Sequence, residues 1–238
     1  MLRPTLKTVR LLATAAVAAL SGLAIAHEGD LKARDFKGAV VAPAWLADEH
    51  VGEEAVSPFQ SSGVRLMAWF PCATFNSANT SGNDVWGYVS PSGREYALMG
   101  LSNGTGFVEV TNPGSSRIIA FIAGPASLWR NVKTYQNYAY SVSEGGGGIQ
   151  VFNLANIDAG VVTLVNTVDA SAATPATHTM IINEQTGYLY RMGGGSNGLR
   201  IYSLANPAAP ALVATWNPKY THDGVVYNYT TGPYAGKE

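Results

Sequence analysis

Gly104-Thr-Gly-Phe-Val-Glu-Val-Thr-Asn112, Gly148-Ile-Gln-Val-Phe-Asn-Leu-Ala-Asn156 and Gly198-Leu-Arg-Ile-Tyr-Ser-Leu-Ala-Asn206 spell one pattern three times. Each runs from a glycine through an apolar segment to an asparagine, and a tyrosine (Tyr96, Tyr140, Tyr190) stands sixteen residues before each asparagine. The asparagines are 44 and 50 residues apart. A repeat of roughly 40–50 residues has the length of one four-stranded propeller blade, whereas solenoid rungs run to roughly 20–30.

Each unit divides into four short segments rich in Val, Ile, Tyr and Phe and bounded by Gly, Asn, Pro or Ser, which is the strand-and-turn signature. The first unit reads as Asn83–Val89, Glu95–Met99, Phe107–Val110 and Ile118–Ile122. The second reads as Asn131–Tyr135, Tyr138–Val142, Ile149–Leu154 and Val161–Val165. The third reads as Thr179–Asn183, Tyr188–Met192, Leu199–Leu204 and Ala211–Trp216. Helix-period stripes are absent after the first 26 residues. The expected fold is therefore all-β, a β-propeller of four-stranded antiparallel blades; a sandwich or solenoid with a fortuitous repeat is the alternative.

The pattern extends past the complete units at both ends. Thr221-His222-Asp223-Gly224-Val225-Val226-Tyr227 reads as the first strand of a fourth unit, and Ala235-Gly236-Lys237-Glu238 repeats Ser92-Gly93-Arg94-Glu95. Val64–Phe70 precedes the first complete unit as Ala211–Trp216 precedes the fourth, so it reads as the outer strand of a further blade or as a plain edge strand. Propellers close with roughly four to eight blades. On this reading residues 64–238 are an incomplete propeller, with three full blades and a partial blade at each end, truncated at the C-terminal side.

Residues 1–26 read as a secretory signal peptide: Arg3, Lys7 and Arg10, an apolar run from Leu11 to Leu23, then Ala24-Ile25-Ala26 before His27. The apolar run is shorter than the ~20 residues of a comfortable membrane span, leaving an uncleaved anchor as the lesser alternative. Cleavage leaves a mature chain with no transmembrane segment, bound for the extracellular space, cell surface or periplasm. Residues 27–63 form a lead-in with little pattern. The leader carries three of the fifteen basic residues and no acidic ones, so the mature chain holds twelve against sixteen, a net charge of −4. That balance argues against nucleic acid as a partner. Cys72 is the single cysteine, which excludes an intrachain disulfide, and it reads as an inert thiol.

One polar column accompanies the repeat. Asn83-Asp84, Arg130-Asn131, Thr177-His178 and His222-Asp223 begin four successive first strands, with second members spaced by 47, 47 and 45 residues. Tyr88, Tyr135, Ile182 and Tyr227 follow them four residues on. First strands line the central channel of a propeller, so the pairs should converge at one channel mouth. Asp84, Arg130, His178, His222 and Asp223 are the ligand-binding candidates. Such oxygen and imidazole groups hold a divalent cation such as calcium, polarise water or bind a polyol. The same residue types also cap buried turns without any ligand. No nucleophile–base pair or Gly-x-Ser-x-Gly elbow is present, so no catalytic residue is assigned. Gly145–Gly148 and Gly193–Gly195 join strand to strand and lack the helix N-terminus on which a phosphate loop depends.

The set Gly82-Asn-Asp-Val-Trp-Gly-Tyr, Gly93-Arg-Glu-Tyr-Ala-Leu-Met-Gly, Gly104-Thr-Gly-Phe-Val-Glu-Val, Trp129-Arg-Asn-Val-Lys, Gly148-Ile-Gln-Val-Phe-Asn-Leu and Tyr220-Thr-His-Asp, spread over about residues 60–238, resembles the choice-of-anchor B family. The resemblance implies a secreted bacterial cell-surface protein built from LVIVD-type propeller repeats, with no settled biochemical activity. The expected function is a secreted or surface-displayed recognition module for an extracellular protein or glycan. The alternative is a metal-dependent hydrolase of the lactonase or esterase kind with its site at the channel mouth.

Overall fold

The computed structural model describes residues 42–50, 59, 61–171, 175–195 and 198–238. The expected signal peptide, with most of the lead-in up to residue 63, lies outside the described residues. Three four-stranded antiparallel sheets follow one another along the chain, each an uninterrupted meander. The first comprises β3 (Gly82–Val89), β4 (Glu95–Leu101), β5 (Gly104–Glu109) and β6 (Arg117–Ala123). The second comprises β7 (Arg130–Tyr135), β8 (Tyr138–Ser143), β9 (Ile149–Asn153) and β10 (Thr163–Val168). The third comprises β11 (Thr179–Asn183), β12 (Tyr188–Met192), β13 (Leu199–Ser203) and β14 (Ala211–Trp216). The repeated Gly-to-Asn pattern thus marks the third strand of each sheet and its exit turn. Phe107–Val110 and Ile149–Leu154 belong to different sheets, as separate repeat units require.

Turn chemistry sets the register. The first hairpin closes between Val89 and Glu95, the second between Tyr135 and Tyr138, and the third between Asn183 and Tyr188. The second is the tightest, with Gln136 bent to φ 53° in a two-residue turn. Because the loops differ in length, the repeat tyrosines face unlike partners: Tyr96 opposite Tyr88, Tyr140 opposite Lys133 and Tyr190 opposite Ile181. Tyr135 and Ile182, expected to match Tyr88, therefore stand out of step with it. The polar column is regular in sequence but staggered on the ladders. Glycine is obligatory at Gly148, where φ is 66° and a Cβ would lie 1.9 Å from the Val168 carbonyl oxygen.

Alternation along the strands gives each sheet two apolar faces, and the sheets stack through them. Tyr88, Tyr96, Leu98 and Phe107 of the first sheet pack against Val132, Ala139 and Phe152 of the second, with the Phe107 and Phe152 rings edge to face at 5.4 Å. Tyr140, Val142, Ile149 and Val151 of the second sheet meet Met180, Leu189 and Tyr202 of the third in the same way. Repeat tyrosines fasten each junction: Tyr96 Oη donates to Asp158 Oδ1 at 2.7 Å, and Tyr140 Oη to the Pro207 carbonyl at 2.9 Å. Both acceptors lie just past the repeat asparagine of the following sheet.

The two flanks depart from expectation. Val64–Phe70 does not supply an outer strand; only β2 (Ala68–Trp69) is extended and paired, with β1 (Trp45–Leu46), in a separate two-stranded sheet. A single helical turn, α1 (Cys72–Phe75), follows and sets Phe75 against Gly106, where a Cβ would lie 2.6 Å from the ring. Thr221–Tyr227 forms no strand either. It lies over the third sheet with Val225 and Tyr227 exposed, and among the described residues no strand pairs with it. No described helix is long and apolar enough to cross a membrane.

Candidate functional site at the mouth of the first strands

The first strands β3, β7 and β11 lie side by side, and their leading ends surround an open cavity of about 340 Å³. Asp84, His178, His222 and Asp223, four of the five candidates, line it together with Asn83, Trp129, Asn131 and Thr179. Residues separated by up to 139 positions thus share one space. Asp84 arrives there through a bulge: the four residues of β3 from Gly82 to Val85 face only the three of β4 from Leu101 to Met99. Bulges bend a strand and re-aim its side chains.

Arg130 is the exception. Its backbone N–H reaches the mouth and donates to Asn83 Oδ1 at 3.0 Å, but the side chain turns to the opposite side of the strand and is only 1% exposed. The guanidinium donates to the Leu101 carbonyl at 2.9 Å, to Ser141 Oγ at 3.4 Å and to the Pro125 carbonyl. Burial lowers its pKa to about 10, so it stays charged at neutral pH. Its task is to satisfy carbonyls in the link between the first two sheets. Arg191 treats the next link alike, donating to the Pro175 carbonyl at 2.9 Å and to Thr177 Oγ1 at 2.8 Å.

Much of the column's hydrogen bonding joins sheet to sheet. Asp84 Oδ2 accepts from Asn131 Nδ2 at 2.7 Å, from the Val132 N–H at 3.0 Å and from Lys133 Nζ at 3.3 Å. Asn131 Oδ1 accepts in turn from the Met180 N–H at 3.1 Å. The Lys133 ammonium also sits 4.1 Å from the Trp86 ring centre. Asp223 Oδ1 caps its own turn at the Gly224 N–H, 2.8 Å away. Asn83, Asp84 and Asn131 each accept a backbone N–H from the first strand of the following sheet, and Asp223 accepts one from its own turn.

The imidazoles form the other half of the mouth. His178 Nδ1 lies 2.7 Å from Glu144 Oε1, and its ring stacks on His222 with centroids 4.3 Å apart and planes tilted by 38°. Trp129 meets His178 edge-on at 5.7 Å, and Tyr220 approaches His222 at 6.4 Å. Glu144 escaped the sequence reading because it follows β8 rather than beginning a first strand. Trp129, one residue before Arg130, brings its ring to the cavity wall.

A divalent cation fits this donor set poorly. Among the described residues no three His, Cys, Asp or Glu side chains stand close enough together to hold a metal ion. Asp84 Oδ2 is already surrounded by three donors, and Glu144 Oε1 by the imidazole. Calcium is one ion that such residue types can hold, but no three-ligand cage for it stands among the described residues. Burial raises the Cys72 thiol above its ordinary value, which its backbone hydrogen bond only partly opposes, so a nucleophilic thiolate is disfavoured.

A larger cavity, about 720 Å³, lies on the exposed face of the third sheet, lined by Tyr190, Met192, Leu199, Ile201 and Val213 and overlaid by the 221–229 segment. Its walls are mostly apolar sheet surface, with Tyr190 donating to Glu238 at the margin.

No protein-family model matches the chain, and a search of curated proteins finds no similar sequence.

Proposed function

We propose that the three sheets are successive blades of a β-propeller and that the protein is a secreted or surface-displayed recognition module. It would contact an extracellular protein or glycan through the face where the mouth opens. The carrying observation is the convergence of Asp84, His178, His222 and Asp223 with Trp129 on one cavity fed by three sheets. Stitches from Asp84 and Asn131 to neighbouring strands hold that constellation rigid, and rigid scaffolds with polar rims are suited to recognition. The secretory leader and the resemblance to choice-of-anchor B proteins support the compartment. The hydrolase alternative draws no support from the mouth, where no three His, Cys, Asp or Glu side chains among the described residues stand close enough to hold a metal ion.

The test is a binding screen of the intact protein against extracellular glycans and proteins, repeated with Trp129→Ala and with His222→Ala. Interactions through the mouth should weaken in both variants while the far-UV circular dichroism spectrum is unchanged. Interactions that ignore both substitutions would overturn the reading.

A further inference from the structure

The mouth has unspent hydrogen-bonding capacity, and that remainder has a sign. Asp84 places all three of its hydrogen bonds on Oδ2, and Asp223 uses only Oδ1. Among the described residues nothing bonds Asp84 Oδ1, Asp223 Oδ2, Thr179 Oγ1 or Asn83 Nδ2, and all four residues line the cavity. Two of these atoms are carboxylate oxygens, one is a hydroxyl that accepts or donates, and one is an amide donor. The charge around the cavity has the same bias. Asp84, Asp223 and Glu144 stand against one ammonium, Lys133, which Asp84 already engages. A ligand that completes this surface must be rich in donors, cationic in preference to anionic, and able to set an apolar face against the Trp129 ring, which stands at 65° to the His178 imidazole.

We infer that the mouth binds an amino-sugar unit of a glycan, with its protonated amine at the free oxygens of Asp84 and Asp223 and its ring against Trp129. This rests on the recognition reading above and gives it a ligand class. The amine would replace bulk water as the partner of two carboxylate oxygens and gain the attraction of the indole face. Ring hydroxyls would meet Thr179 Oγ1 and Asn83 Nδ2. A protein lysine would use the carboxylates but leave those two groups unanswered. An open cavity of about 340 Å³ suits a ring better than a single alkyl chain. Uronic and sialic acids would bring a carboxylate against like charge and be rejected.

The test is calorimetric titration of the intact protein with glucosamine oligosaccharides, their N-acetylated counterparts, galacturonate oligosaccharides and a lysine peptide. Glucosamine oligomers should bind, N-acetylation should cost about tenfold in affinity, the size of one lost charge-assisted hydrogen bond, and the uronates should give no heat. Asp223→Asn should erase the preference for the free amine. Asp84→Asn, which keeps an oxygen for the Val132 N–H, should do the same with the fold intact. Uronates binding as tightly as glucosamine, or an amine preference untouched by Asp223→Asn, would overturn the inference. A protein ligand lost with Trp129→Ala, with no sugar bound, would overturn the sugar assignment and leave the recognition reading standing. If no ligand of any class responds to Trp129→Ala, both fail.

Discussion

Two faces of the same repeat meet different fates in this molecule. Phe107 and Val151 occupy one repeat position in the first and second sheets, and both are fully buried by the sheet that follows. Ile201 holds that position in the third sheet, yet it is only half-buried, beside an apolar cavity and an irregular segment. The chemistry of the residue is the same in all three cases; the neighbour differs. Each sheet therefore carries the complete apolar surface of an inter-sheet junction, and the junction's energy depends on what covers it.

Truncating the covered position should have the largest effect. Phe107→Ala removes a ring from a closed junction and should destabilise the protein by about 3–5 kcal/mol, read from denaturant unfolding. Ile201→Ala should cost less than about half of that, because its methyl groups already touch solvent. Equal losses at the two sites would break the comparison. Next comes the polar seal of the closed junction. Arg130→Met leaves the Leu101 and Pro125 carbonyls without their donor in a buried setting and should cost about 2–3 kcal/mol. Arg117→Ala, at an exposed ion pair with Glu109, should stay within about 0.5 kcal/mol in the same assay.

The smallest effect concerns the tyrosine fastener; it is present near neutrality and fades in acid. Hydrogen bonds from Tyr96 first and then Ser92, with lesser help from Ser90 and the Arg94 charge, hold the Asp158 carboxyl below its ordinary value against an opposing burial effect. A carboxylate whose folded pKa is depressed stabilises the fold above its unfolded pKa of about 3.9 and loses that contribution as pH falls through the lower folded value. Tyr96→Phe should therefore lower stability near neutrality and lose that deficit as pH falls below about 4, flattening the acid limb of the stability–pH curve. An acid limb identical to that of the parent protein would remove Tyr96 from the junction's electrostatics.

The meander of four strands was legible because alternation and turn residues act locally: eleven of the twelve expected strands lie within two residues of their observed ends at each side, or within three at β5, whose glycine-rich start disguised its strand character. The remaining strand, β10, ends three residues later than expected because a bulge between Leu164 and Asn166 carries pairing on to Val168. Convergence of Asp84 with His178 was also legible, since both open first strands. The direction of the Arg130 side chain was not. It follows from strand parity relative to the β8 ladder, which the two-residue turn at Gln136 fixes and equal sequence spacing does not reveal. Thr221–Tyr227 has strand chemistry, but a strand also needs a ladder partner, and sequence pattern alone does not supply one.

The stitches at the mouth point one way. Asp84 takes the Val132 amide, and Asn131 takes the Met180 amide, so every acceptor precedes its donor along the chain. A chain made from its N terminus thus displays each sheet's waiting acceptor before the strand that will satisfy it has emerged. Assembly during synthesis then resembles a ratchet: each newly completed first strand is caught by the sheet already formed, and catching it positions the next acceptor.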